Sequence, residues 1–155
     1  MKKRLYLKHL CFLFGLLFVL SACSAEKSCD FEMGNGEKIK VTMDTGSKYD
    51  LLTDGSSIIV RKEGTDILNG LIITKDGFEA NAQVIIENQD EIEIIEAVPE
   101  NAPSLFIYQY NVEEETEIDF LFQIENSEYA GVFMSFSTYE EAKVAFDRVS
   151  FVVFR

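Results

Sequence analysis

The chain has 155 residues, 47% of them hydrophobic and 26% charged, which suits a single folded core. Lysine and arginine number 14 against 27 acidic residues, and so large an acid excess disfavours nucleic acid as a partner, because phosphate binding needs a basic surface. The only histidine is His9, and tryptophan is absent. A domain downstream of His9 therefore lacks the imidazole needed for Ser-His-Asp or Cys-His nucleophiles and for His-ligated zinc.

Lys2, Lys3, Arg4 and Lys8 open the chain, and no charge follows from Leu10 to Leu20. A basic start, a short apolar core and a small-residue end form the pattern of a secretory signal. The apolar core is about half the ~20 residues that a membrane-spanning helix needs. The stretch closes on Leu20-Ser21-Ala22-Cys23, which resembles the lipobox of bacterial lipoproteins. The resemblance implies cleavage before Cys23, a diacylglyceryl thioether on its sulfur, and a lipid-anchored position at the extracytoplasmic face of the bacterial cell membrane. Two acyl chains hold a protein stably where one binds only marginally.

On this reading residues 1–22 are a cleaved signal, 23–30 are the anchor and a short tether, and 31–155 are a single globular domain. The leader removes four basic residues and no acid, leaving 10 basic and 27 acidic residues and a formal charge of −17. The lipid must then do the holding, since peripheral attraction to anionic headgroups relies on Lys and Arg clusters. With Cys11 removed and Cys23 lipidated, Cys29 is the last thiol and has no intramolecular disulfide partner.

Gly34-Asn35-Gly36 supplies the positive φ values of a tight turn, so 30–33 and Glu37–Asp44 are expected to pair as a hairpin. Within the second strand Ile39, Val41 and Met43 alternate with Lys38, Lys40 and Thr42, the pattern of a half-buried strand. Asp44-Thr45-Gly46-Ser47 turns the chain, and 49–53, 57–61 and 67–74 read as short strands between Gly-containing breaks. Phe78, Ala82, Ile85 and Ile86 recur at helical spacing, which predicts a helix over 77–88. Alternation returns over 91–96, and Pro99 and Pro103 mark a loop, because two prolines in five residues cannot sit in a central strand.

Three further strands, 105–111, 118–125 and 131–137, follow at meander spacing, with an acidic turn over 113–117. Ser137 followed by Glu140 reads as a capping box for a last helix, with Tyr139, Ala142, Phe146 and Val149 on its apolar stripe. Phe151–Phe154 either extends this helix or adds an edge strand. The sum is an α+β fold with an antiparallel sheet of about six to eight strands and two helices. From Leu71 to Phe154 the order of elements resembles PsbP-like domains, most visibly at Ser137-Thr138-Tyr139-Glu140-Glu141-Ala142 and Val149-Ser150-Phe151. The resemblance implies a binding or assembly role without catalysis, and transfers no site residue.

Three constellations bear on chemistry. Val41-Thr42-Met43-Asp44-Thr45-Gly46-Ser47 looks like the catalytic turn of aspartic proteases, but such a dyad needs a second carboxylate and the chain has no matching motif. Asp and Gly are also ordinary turn residues, so Asp44 is read as structural. Glu113-Glu114-Glu115-Thr116-Glu117 offers oxygens to a hard cation such as calcium, but lacks the alternate spacing and glycine of a ligand loop, and is read as a solvated turn. Tyr108, Tyr110, Phe120, Phe122, Phe133 and Phe136 are dense enough to line an apolar cleft, although aromatic strands more often form core. No cofactor, no metal site and no catalytic residue is expected. Two functions remain: a non-catalytic binding or assembly module serving an envelope protein such as a transporter, and a carboxylate-based hydrolase using Asp44.

Overall fold

The computed structural model describes residues 25–154, so Cys23 and the leader lie outside the described residues. Ten strands and two helices follow one another (β1 Glu26–Glu32, β2 Lys38–Asp44, β3 Tyr49–Asp54, β4 Ser57–Lys62, β5 Thr65–Thr74, α1 Lys75–Glu87, β6 Glu93–Val98, β7 Leu105–Val112, β8 Glu115–Gln123, β9 Tyr129–Ser135, α2 Tyr139–Phe146, β10 Val149–Phe154). Seven strands form a main sheet in the order β3-β4-β5-β9-β8-β7-β6, and β1-β2-β10 form a second sheet. Every pairing is antiparallel. The expected α+β architecture with two helices is thus what the chain builds, with a separate three-stranded sheet added to the main one.

Alternation explains the layers. In β2 the side chains of Ile39, Val41 and Met43 are fully buried while Lys38, Lys40 and Asp44 face out. That inner face packs on one face of the main sheet, against Ile58, Val60, Leu68, Phe120 and Phe133. Ala142 and Ala145 of α2 complete this first core, with Tyr139 and Phe146 packed against it as the predicted stripe requires and Val149 reaching it from β10 instead. The opposite face of the main sheet carries α1, whose Phe78 and Ile85 pack on Phe106, Tyr108, Leu121 and Ala130. The main sheet is therefore sandwiched, and Glu117 to Phe122 of β8 are all buried, from one side or the other.

Two glycines make room for the aromatic core. A Cβ at Gly70 would lie 2.2 Å from the Phe133 ring, and one at Gly131 would lie 2.2 Å from the Phe122 ring. In each case the glycine sits opposite that phenylalanine in the neighbouring strand, so the ring folds over the bare backbone. Phe122 and Phe133 stack with centroids 5.9 Å apart, and Phe146 and Phe151 close around them.

Several boundaries differ from expectation. The domain begins at Glu26 and not at 31, because β1 runs the whole length of β2, pairing Glu26 with Asp44. As an edge strand it buries only one side, so just Cys29 and Phe31 turn inward and the segment reads as a polar tether. The N-cap of α2 is Thr138, whose side chain accepts a hydrogen bond from the Glu141 amide, and not Ser137. The helix ends at Phe146, and 149–154 resolves to the edge strand, paired with β2. The acidic turn is also shorter than read, since β8 begins at Glu115 and Glu117 is buried within it. Among the described residues no helix is long and apolar enough to cross a membrane.

Candidate functional site

Two buried carboxyls, Glu117 and Asp119, lie on the α1 side of the main sheet. There β7 presents Phe106, Tyr108 and Tyr110, while β8 presents Leu121, Asp119 and Glu117. Register places Tyr108 opposite Asp119 and Tyr110 opposite Glu117. The tyrosine rings stack with centroids 6.1 Å apart. Because α1 lies mainly over β8, β9 and β5, β7 is incompletely covered. A groove of about 300 Å³ remains beside the helix, lined by Asn81, Val84 and Ile85 on one wall and by Ile92, Tyr108 and Tyr110 on the other.

Asp119 sits beneath this groove's tyrosines and is 4% exposed. Its Oδ2 accepts a hydrogen bond from the Tyr110 hydroxyl at 3.4 Å, while its Oδ1 has no partner among the described residues. Burial pushes the Asp119 carboxyl up to about 7, the Tyr108 hydroxyl offsets part of that, and the nearby charge of Glu117 adds to it. Burial and then the Asp119 charge likewise push both phenols upward, so Tyr108 and Tyr110 stay protonated donors at any physiological pH. Near neutrality the cluster is two protonated phenols and the buried, partly protonated Asp119 carboxyl, with Glu117 beside it. It can hydrogen-bond a ligand and carry a negative charge. Its residue types include no nucleophile of the Ser, Cys or Lys kind.

The residues singled out in the sequence are not brought together. Asp44 lies in an exposed turn, where its Oδ1 accepts from the Gly46 amide at 2.9 Å and its Oδ2 from Arg148 at 3.2 Å. The Arg148 guanidinium also stacks 4.5 Å over the Tyr49 ring. The Asp-Thr-Gly-Ser sequence is thereby accounted for by turn geometry, an Asx-type bond into a chain reversal. Of the aromatic set, Phe120, Phe122 and Phe133 are core, Phe136 is exposed, and only Tyr108 and Tyr110 line a groove.

Glu113 sits at the tip of the β7–β8 hairpin while Glu117 turns inward, and among the described residues no three acids, cysteines or histidines converge as a metal site. Cys29 is a free, half-buried thiol, pushed up by burial. Sequence reasoning passed over Asp119. The available signal was an acid inside the apolar run Ile118–Ile124, two places from Glu117 and facing a tyrosine strand. Compared with protein-family models, curated proteins and solved structures, the chain shows no significant match.

Proposed function

We propose that this protein is a lipoprotein held at the extracytoplasmic face of a bacterial cell membrane through Cys23, and that its domain is a non-catalytic binding module. The observation that carries the reading is the junction at residues 23–26. The lipobox-like Leu20-Ser21-Ala22-Cys23 is followed by a strand from Glu26, and the Ala25 carbonyl already accepts from the Thr45 amide at 2.7 Å. A folded domain therefore starts three residues after the cysteine that would take the lipid.

The groove beside α1 is where such a module would take its ligand, with an apolar wall and two phenol donors, the usual make-up of a small-ligand site. A neighbouring envelope protein, a transporter in particular, is the partner it would serve. The PsbP-like order of elements, with α1 between early and late strands and α2 before an aromatic tail, supports the same non-catalytic role without assigning a residue. The alternative, a hydrolase using Asp44, has less support, because an aspartic dyad needs two carboxylates ~3 Å apart and both Asp44 oxygens serve the turn and Arg148.

The test is fractionation of cells producing the parent and Cys23→Ala. The parent should sediment with membranes and be open to protease from outside, and the variant should not be held there. Equal membrane retention of the two proteins overturns the proposal.

A further inference from the structure

If Cys23 carries the lipid, as proposed above, the chain between anchor and fold is too short to let the domain tumble freely. Ala25 is fixed by Thr45, and two residues span at most about 7 Å. We propose that the end of the domain formed by α2 and the Asp44–Lys48 turn lies on the phospholipid headgroups around the anchor, with Val144 as its apolar contact.

The topology defines that end. β1 starts there, β2 ends there, and the turn leads directly into β3, with the Glu63 amide bonded to the Lys48 carbonyl. α2 runs from the end of β9 to the start of β10, which opposes Met43 near the end of β2, so the helix crosses the same end. Ala142 and Ala145 turn inward, while Val144 is 50% exposed. An exposed apolar side chain on a helix at the tethered end is the kind that settles at the headgroup boundary.

Charge separates this end from the rest. Lys27, Lys48, Arg61, Lys62, Lys143 and Arg148 all lie around it, each paired with a carboxylate. Glu26 and Glu140 bring its acids to eight against six bases, whereas the other described residues hold nineteen acids against Lys38, Lys40 and Lys75. Anionic headgroups repel an acidic surface, so the near-neutral end is the one that can approach them. The β7–β8 hairpin, with Glu113, Glu114 and Glu115, shares this strand end but lies four strands from β3. That is ~19 Å across the sheet and beyond the screening length at physiological salt. The domain therefore tilts, with the β3 and α2 corner down and the acidic hairpin raised.

The absence of tryptophan makes the test direct. The mature chain from Cys23, carrying Cys29→Ser, is coupled through the Cys23 thiol to a maleimide lipid in phosphatidylethanolamine–phosphatidylglycerol vesicles. A single tryptophan is placed by Val144→Trp, or at the opposite end of the domain by Ala102→Trp, and quenching by bromine on the acyl chains is read. A blue-shifted emission and several-fold stronger quenching are expected at 144 than at 102. Equal quenching at the two sites, or stronger quenching at 102, overturns the proposal. Because the anchor is supplied chemically, that result bears on orientation alone, and a failure of Cys23 lipidation in cells is read separately by fractionation.

Discussion

Asp119→Asn tests the buried acid cluster most sharply. The folded protein holds this carboxyl near 7, against 3.8 for the free side chain. The folded state therefore binds more protons than the unfolded state between those values, and stability falls as pH rises through that window. The cost is absent below the lower value and complete above the upper one. Three units at ~1.4 kcal/mol each make it about 4 kcal/mol at pH 8. Asparagine keeps the shape, still accepts from Tyr110, and can donate to Glu117 instead of confronting it with a second charge. Urea denaturation of residues 24–155 between about pH 4.5 and 8.5 reads the difference. The variant should match the parent near the acid end and exceed it by several kcal/mol at the alkaline end. A stability difference that does not change with pH would refute the reasoning, because a carboxyl titrating in this range cannot give one.

Three other outcomes follow from the geometry. Gly131→Ala should destabilise by about 1–3 kcal/mol in the same assay, since its methyl would meet a Phe122 ring already held by Phe133, Phe146 and Phe151. A neutral result would mean that the aromatic core yields easily. Thr138→Ala should cost ~1 kcal/mol by removing the cap of α2, whereas Ser137→Ala should cost less, since the Ser137 hydroxyl does not cap the helix; the reverse order would restore the cap to Ser137. Residues 24–155 incubated with a mixed-peptide library between about pH 3 and 7, the range in which carboxylate dyads titrate, should show no cleavage that Asp44→Asn abolishes, and such cleavage would return Asp44 to catalysis.

How much the sequence disclosed depended on whether a feature was local. The hairpin at Asn35-Gly36, the alternation of β2 and the apolar spacing of α1 are written in neighbouring residues, and those elements form where they were read. Ser137-Thr138-Tyr139-Glu140-Glu141 holds two overlapping capping boxes, and nothing local decides between them. The structure chooses Thr138, whose backbone is extended and whose hydroxyl meets the Glu141 amide.

Long-range choices were hidden. β10 joins β2 across more than a hundred residues, so Val149 looked like one more turn of helix. Glu26–Asp30 looked like a tether because an edge strand turns polar residues outward on one face and offers little burial on the other. The candidate site was the least legible part. Asp119 becomes a buried titrating group only because β7 sets Tyr108 beside it and α1 roofs that face, and neither fact is visible in the residues around it.

The central claim is that Cys23 is the lipidated first residue of a domain that begins almost at once. Mass spectrometry of the N-terminal peptide from the membrane fraction tests it most directly. The account predicts a peptide that starts at Cys23 and carries the mass of a diacylglyceryl group, with residues 1–22 gone. A peptide that retains the leader, or one cut there with an unmodified cysteine, would contradict it.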